Sequence, residues 1–124
     1  MRMIYGMGKR GMYLYFLLKD YGIDIDGFID KNNNKIGTIA EGVACYGLHD
    51  IIYFECPMEI IISPKKSDGI SRLIRQTCPA ACIIEWSTII RDYPMKVQVE
   101  RDVERIISMY ESIKGRPYES DRNK

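Results

Sequence analysis

The sequence predicts a single α/β domain of three layers, with helices on both faces of a parallel sheet of about five strands. Three observations carry this. Short apolar runs alternate along the chain with stretches of helical periodicity, the rhythm of repeated strand-helix-strand units. Glu59-Ile60-Ile61-Ile62 is an almost unbroken β-branched run, the mark of a strand buried on both faces. A glycine-rich turn, Gly6-Met7-Gly8-Lys9-Arg10-Gly11, stands between the first apolar run and the first helical stretch. At 124 residues the chain has room for one core of ordinary size.

Taken in order, Met3 to Tyr5 form the first strand, and the glycines at 6, 8 and 11 open a helix that runs to about Tyr21 and stops at Gly22. Ile25 to Ile29 form the second strand. Asp30-Lys31-Asn32-Asn33-Asn34-Lys35 is polar and turn-prone, so the crossover to a third strand near Val43 to Tyr46 has no evident helix. A short helix is expected around His49 to Phe54. Ser63 and Pro64 end the Glu59 to Ile62 strand, and a helix follows from about Asp68 to Thr77. Ile70, Leu73 and Ile74 share one of its faces, and Arg72, Arg75 and Gln76 the other.

Ala81 to Trp86 reads as the fifth strand. After Pro94, Val99, Val103, Ile106, Ile107, Tyr110 and Ile113 fall at helical spacing, with Arg101/Glu104 and Asp102/Arg105 as i,i+3 pairs on the wet side. Gly115-Arg116-Pro117 stops that helix. The expected organisation is a core over residues 1–95, an amphipathic helix over 96–115 packed on the same domain, and a polar tail over 116–124.

Net charge is +1, and the first 62 residues carry 6 Lys and Arg against 8 Asp and Glu, the remainder 12 against 9. Neither part has the basic excess that polyanion binding demands, so nucleic acid is a poor partner. No window approaches the roughly 18 apolar residues of a membrane span, and the expectation is a cytoplasmic chain without one. Cys45, Cys56, Cys78 and Cys82 form no CxxC pair, and the single histidine, His49, is remote from Cys78 and Cys82. They read as structural thiols rather than a metal site.

The chemistry lies in the glycine turn. In a GxGxxG between strand and helix, the first glycine permits the tight turn and the second lets a pyrophosphate approach the backbone. The third lets helix and strand pack closely, while the helix N-terminus offers N–H groups to an anion. Asp30 lies 19 residues beyond Gly11, at the end of the second strand, where its carboxylate can accept from both hydroxyls of a ribose. The plainer alternative is that the glycines serve only a close strand-helix turn and Asp30 caps a loop.

These residues resemble a family. Ile4-Tyr5-Gly6-Met7-Gly8-Lys9-Arg10-Gly11, Gly27-Phe28-Ile29-Asp30, Gly37 and Glu41-Gly42-Val43 are similar to the Rossmann-like N-terminal domain of bacterial sugar O-acyltransferases and related polysaccharide-biosynthesis modules. The likeness runs to about Ile90. It implies a strand order of 3-2-1-4-5 and a nucleotide or nucleotide-linked sugar held at the carboxyl ends of the strands. The residues that carry over are Gly6, Gly8 and Gly11 at the phosphate turn, Asp30 after the second strand and Ser63 after the fourth.

The departures are also informative. Lys9-Arg10 stands where the acyltransferases commonly have Gly-His, and Lys31 where they have an acidic residue or Asn. Each adds positive charge near the proposed phosphates and favours an anionic ligand, NAD or a nucleotide-sugar. The hexapeptide repeats that carry acetyl transfer in that family are replaced here by Ser87 to Pro94 and one helix. Tyr15/Lys19 and Tyr110/Lys114 have Tyr-x-x-x-Lys spacing, which helical i,i+4 placement explains without chemistry, and His49 reads as a water-exposed loop or helix-start residue. The expected function is nucleotide binding without turnover by the isolated chain, the alternatives being a ligand-free scaffold or an NAD-dependent oxidoreductase. Tyr13, Phe16 and Leu17 give the first helix a second apolar stripe, to be covered by the C-terminal helix or by another subunit in a homodimer or partner complex.

Overall fold

The computed structural model describes residues 1–54 and 57–114, with the side chains of Val97, Ile106 and residues 109–114 left aside. Its strands are β1 (Arg2–Tyr5), β2 (Gly27–Ile29), β3 (Ile39–Ala40), β4 (Val43–Tyr46), β5 (Glu59–Ile62) and β6 (Cys82–Glu85). Its helices are α1 (Lys9–Asp20), α2 (Asp68–Thr77), α3 (Trp86–Asp92) and α4 (Val97–Lys114), with a 3-10 helix at Leu48–Tyr53. The strands form one six-stranded sheet in the order β3-β4-β2-β1-β5-β6. Every pairing is parallel except β3 with β4.

The sheet has six strands where five were expected, so its order differs from 3-2-1-4-5 by one added edge strand, while the five expected strands keep their sequence as β4-β2-β1-β5-β6. The additional strand is β3, which enters through a two-residue hairpin. Glu41 and Gly42 both have positive φ, 53° and 78°, the backbone that a tight turn matched to strand twist requires. Two residues of β3 are too few to show period-two alternation, and Glu-Gly is a weaker hairpin signal than Asn-Gly. A second correction is α3. Trp86 to Asp92 was expected to divide between the end of a strand and a connection, but the chain leaves β6 directly into a helix that buries Ile89.

The strands are short, and alternation distributes their side chains to two apolar clusters. Ile4, Phe28, Cys45 and Ile61 join α1, Ile89 of α3, and Val99 and Val103 of α4. Met3, Tyr5, Ile29, Ile60 and Ile62 join Leu48 and Ile51 of the 3-10 helix and Ile74 of α2. Consecutive residues of β1, β2 and β5 thus serve different clusters, which explains why these strands read as continuous apolar runs.

The C-terminal helix packs on α1, as one of the two alternatives for the surplus stripe anticipated. Phe16 and Leu17 are buried in the same cluster as Val99 and Val103, and Tyr13 packs against it. Phe16 and Leu17 are therefore covered within the chain, and Tyr13 in part. The connection between α3 and α4 is held to the end of α1: Tyr21 donates to the Pro94 carbonyl at 3.0 Å, and Lys96 pairs with Asp20. The stop at Gly115-Arg116-Pro117, the tail and Cys56 lie outside the described residues.

Candidate functional site

Because β1, β2, β4, β5 and β6 are parallel, the segments that follow them gather along one edge of the sheet. The chain moves from β1 through β2 to β4 on one side, then returns to place β5 and β6 on the other. The crevice between β1 and β5 is thus a topological switch point, the place where open α/β sheets receive ligands. Gly6 to Gly11 follow β1, Asp30 and Lys31 follow β2, and Ser63 follows β5. Every residue that the sequence nominated for nucleotide binding lies along this edge.

The turn owes its shape to close approaches. Gly6 has φ +99°, and a Cβ there would lie 2.4 Å from Ser63 Oγ; one on Gly11 would lie 1.8 Å from the Gly6 carbonyl oxygen. Those separations leave no space for a side chain, so β1 and α1 can meet at this angle only with glycine at both positions. Gly8 is the N-cap of α1 and is buried, with its carbonyl accepting from Met12 N–H at 2.9 Å. No side chain caps this helix, and its first turn holds no acidic residue. The N-cap thus has no capping side chain, and the Asp30 carboxylate engages the turn at Met7 N–H, one residue ahead of it.

Asp30 is nine-tenths buried and clamps two loops. Its Oδ2 accepts from Met7 N–H at 2.8 Å, inside the glycine turn, and its Oδ1 accepts from Asn32 N–H at 2.9 Å. Ser63, almost fully buried, donates from Oγ to the Tyr5 carbonyl at 2.8 Å. Both side chains thus hold the glycine turn in place. Thr38, on the segment after Asp30, donates to the Lys35 carbonyl and also approaches Met7 Sδ at 3.7 Å.

The charge of Asp30 reaches its buried neighbours. Burial, and secondarily the Asp30 carboxylate, pushes the Tyr5 phenol up. Burial also pushes the Cys45 thiol up to about 12, with Asp30 adding and Lys35 opposing. Cys45 is a protonated thiol at neutral pH and has no nucleophilic character.

The basic residues differ in disposition. Lys9 and Lys31 are exposed, whereas the Arg10 guanidinium lies 5.0 Å over the ring of Trp86, the first residue after β6. This cation–π contact turns Arg10 toward the β5/β6 side of the edge. Sequence reasoning missed Lys65 and Lys66, both exposed, which follow β5 in the loop leading to α2. The signal was present in Ser63-Pro64-Lys65-Lys66, once the carboxyl end of each parallel strand is inspected for charge. Among the described residues, Lys31, Lys65 and Lys66 enter no ion pair.

The other candidates have different surroundings. Lys19 Nζ sits 5.6 Å over the Tyr15 ring, and Tyr15 is buried, so this Tyr-x-x-x-Lys pair is a stacked helical contact. Tyr110 and Lys114 have side chains outside the described set. His49 is exposed in the 3-10 helix after β4. Among the described residues no cluster of His, Cys, Asp and Glu could hold a metal, and no helix is long and apolar enough to cross a membrane. Comparison with protein-family models and with curated proteins returns no match.

Proposed function

We propose that this chain is a three-layer, Rossmann-like nucleotide-binding module, related to the N-terminal domain of the bacterial sugar O-acyltransferases, that holds a nucleotide-sugar or NAD without transforming it. The observation that carries this reading is the N-terminus of α1, without a side-chain cap, behind a glycine turn at the switch point, with the buried Asp30 carboxylate on one side and the exposed Lys31, Lys65 and Lys66 around it. A phosphate would sit against the N–H groups of Gly8 to Gly11, with Lys9, Arg10 and Lys31 supplying charge. Each carboxylate oxygen of Asp30 accepts one hydrogen bond from a backbone N–H, Oδ2 from Met7 and Oδ1 from Asn32, and each retains a lone pair. Two remaining acceptor sites match the two vicinal hydroxyls of a ribose, and the same carboxylate disfavours the 2′-phosphate of NADP.

A second reading, a ligand-free scaffold, is favoured by one observation: Asp30 and Ser63 both serve the backbone of the turn. Thermal shift with NAD, UDP-sugars and CMP-sugars separates the two, since a ligand at 100 times its Kd raises stability by about 2.7 kcal/mol. Calorimetry on Gly8→Val then locates the site. Lost binding in a variant that still melts cooperatively supports the phosphate turn, and unchanged affinity places the ligand elsewhere. No stabilisation of wild type by any of these nucleotides leaves the scaffold reading.

A further inference from the structure

We infer that β6 is a self-association edge, on which a second copy of this chain adds an antiparallel strand and continues the sheet. The two edges of the sheet are unlike. β3 is two residues long and returns at once through its Glu41-Gly42 turn, so it offers little backbone to an incoming strand. β6 is a four-residue strand, Cys82-Ile83-Ile84-Glu85, without a proline, a lysine or a bulge to blunt it. Cys82 N–H donates inward to the Met58 carbonyl at 2.8 Å, so by alternation the backbone groups of Ile83 and Glu85 face outward.

The groove beside this edge indicates which occupant fits. It has a volume of about 680 Å³ between α2 and β6, and is lined by Asp68, Ser71, Arg72, Arg75, Ile83 and Glu85 among others. Its charge is divided along its length. Asp68 opens α2 beside Glu85, which closes β6, whereas Arg72 and Arg75 lie further along α2 toward the start of β6. Among the described residues neither arginine is in an ion pair.

A two-fold axis through Ile84 pairs Ile83 with Glu85 of the second copy and Glu85 with its Ile83. The acidic end of each groove then meets the basic end of the other. An isologous contact requires this self-complementarity, and a partner of single charge sign would satisfy only half of it. Ile83 and Glu85 project to the same face as α2; Glu85 Oε1 accepts from Ser67 Oγ at 2.8 Å at the start of α2, and the other carboxylate oxygen is the one offered to Arg72 and Arg75 of the second copy.

Sedimentation equilibrium of the whole chain across the micromolar range is the test. Wild type should dimerise, Arg75→Glu should weaken the dimer by about tenfold or more, and the double exchange of Arg75→Glu with Glu85→Arg should recover most of that loss. Ile83→Pro, which removes an outward N–H, should give a monomer. Circular dichroism confirms that each variant is folded, and the exposed Arg75 tests the interface should Ile83→Pro unfold. A wild-type monomer, a dimer indifferent to Arg75→Glu, or a monomer that captures a charged extended peptide at this edge instead of a second copy overturns the assignment.

Discussion

At the amino ends of β1 and β5, charge is matched within the chain. Arg2 pairs with Glu59 at 3.2 Å and donates to the Asp24 carbonyl, Asp26 accepts from Arg2 N–H, and the terminal ammonium donates to the Pro57 carbonyl. At the carboxyl ends of β1, β2 and β5 the plan is different: Lys31, Lys65 and Lys66 are exposed without ion pairs among the described residues, and α1 starts with no side-chain cap. The carboxylate that does lie there, Asp30, is buried and directed at the glycine turn. The amino ends pair their charges within the chain, while three lysines that follow β2 and β5 do not. A fold needs its charges satisfied or solvated, so unmatched charge of one sign gathered at a crevice is where a site is to be sought.

The largest expected effect tests the geometry of the carboxyl end. Gly11→Ala places a methyl 1.8 Å from the Gly6 carbonyl oxygen, a backbone atom that cannot withdraw without separating β1 from α1. A loss of about 4 kcal/mol or more is expected, against about 1 kcal/mol for Gly37→Ala, where φ is +87° but the surrounding space is open. Urea denaturation measures both. Equal losses would mean that the turn relaxes and that its closeness does not define the site.

The next effect concerns the pocket of charge around Asp30. Cys45 titrates near 9 in the unfolded chain and near 12 in the folded one. Because the folded value is raised, its contribution is fully present below pH 9 and is lost as pH rises toward 12. Three units correspond to about 4 kcal/mol over the whole window, and about half of it lies below pH 10.5. Stability measured from pH 8 to 10.5 should fall more steeply in wild type than in Cys45→Ala, whatever the offset between the two. Parallel curves would show that the thiol is better solvated than its burial implies.

The legibility of the sequence follows the same division. Strands whose side chains serve two apolar clusters announced themselves, Glu59–Ile62 and Val43–Tyr46 above all, because burial on both faces forces continuous apolar runs. Asp68–Thr77 was equally plain as a helix, although its packed face is Ile70, Ser71 and Ile74, and Leu73 of the expected stripe is exposed. β3 and α3 were not legible, the former for its length, the latter because Trp86 continues an apolar strand pattern and only packing against α1 turns the chain into helix. At the site, the glycines and Asp30 were found by spacing, and Ser63 through the family resemblance. Their use on backbone was not, since a sequence cannot say whether a carboxylate faces a ligand or an amide one loop away.

The smallest effects on stability give the sharpest form of the comparison. Arg2→Ala removes a matched, partly exposed pair and should cost roughly 0.5 to 1 kcal/mol, a loss reduced by salt. The double change Lys65→Ala with Lys66→Ala removes two exposed cations that pair with nothing described, and stability should stay within about 0.5 kcal/mol of wild type. Nucleotide affinity should reverse the ranking. It should be unmoved by Arg2→Ala, which lies at the far ends of the strands, and should weaken several-fold in the lysine double variant, with a shallower dependence on ionic strength. Calorimetry at low and physiological salt reads both quantities on the same samples. If the lysine variant binds as wild type does and loses none of its salt dependence, the unmatched charge at the carboxyl ends is solvated surface, and recognition must rest on the glycine turn and Asp30 alone.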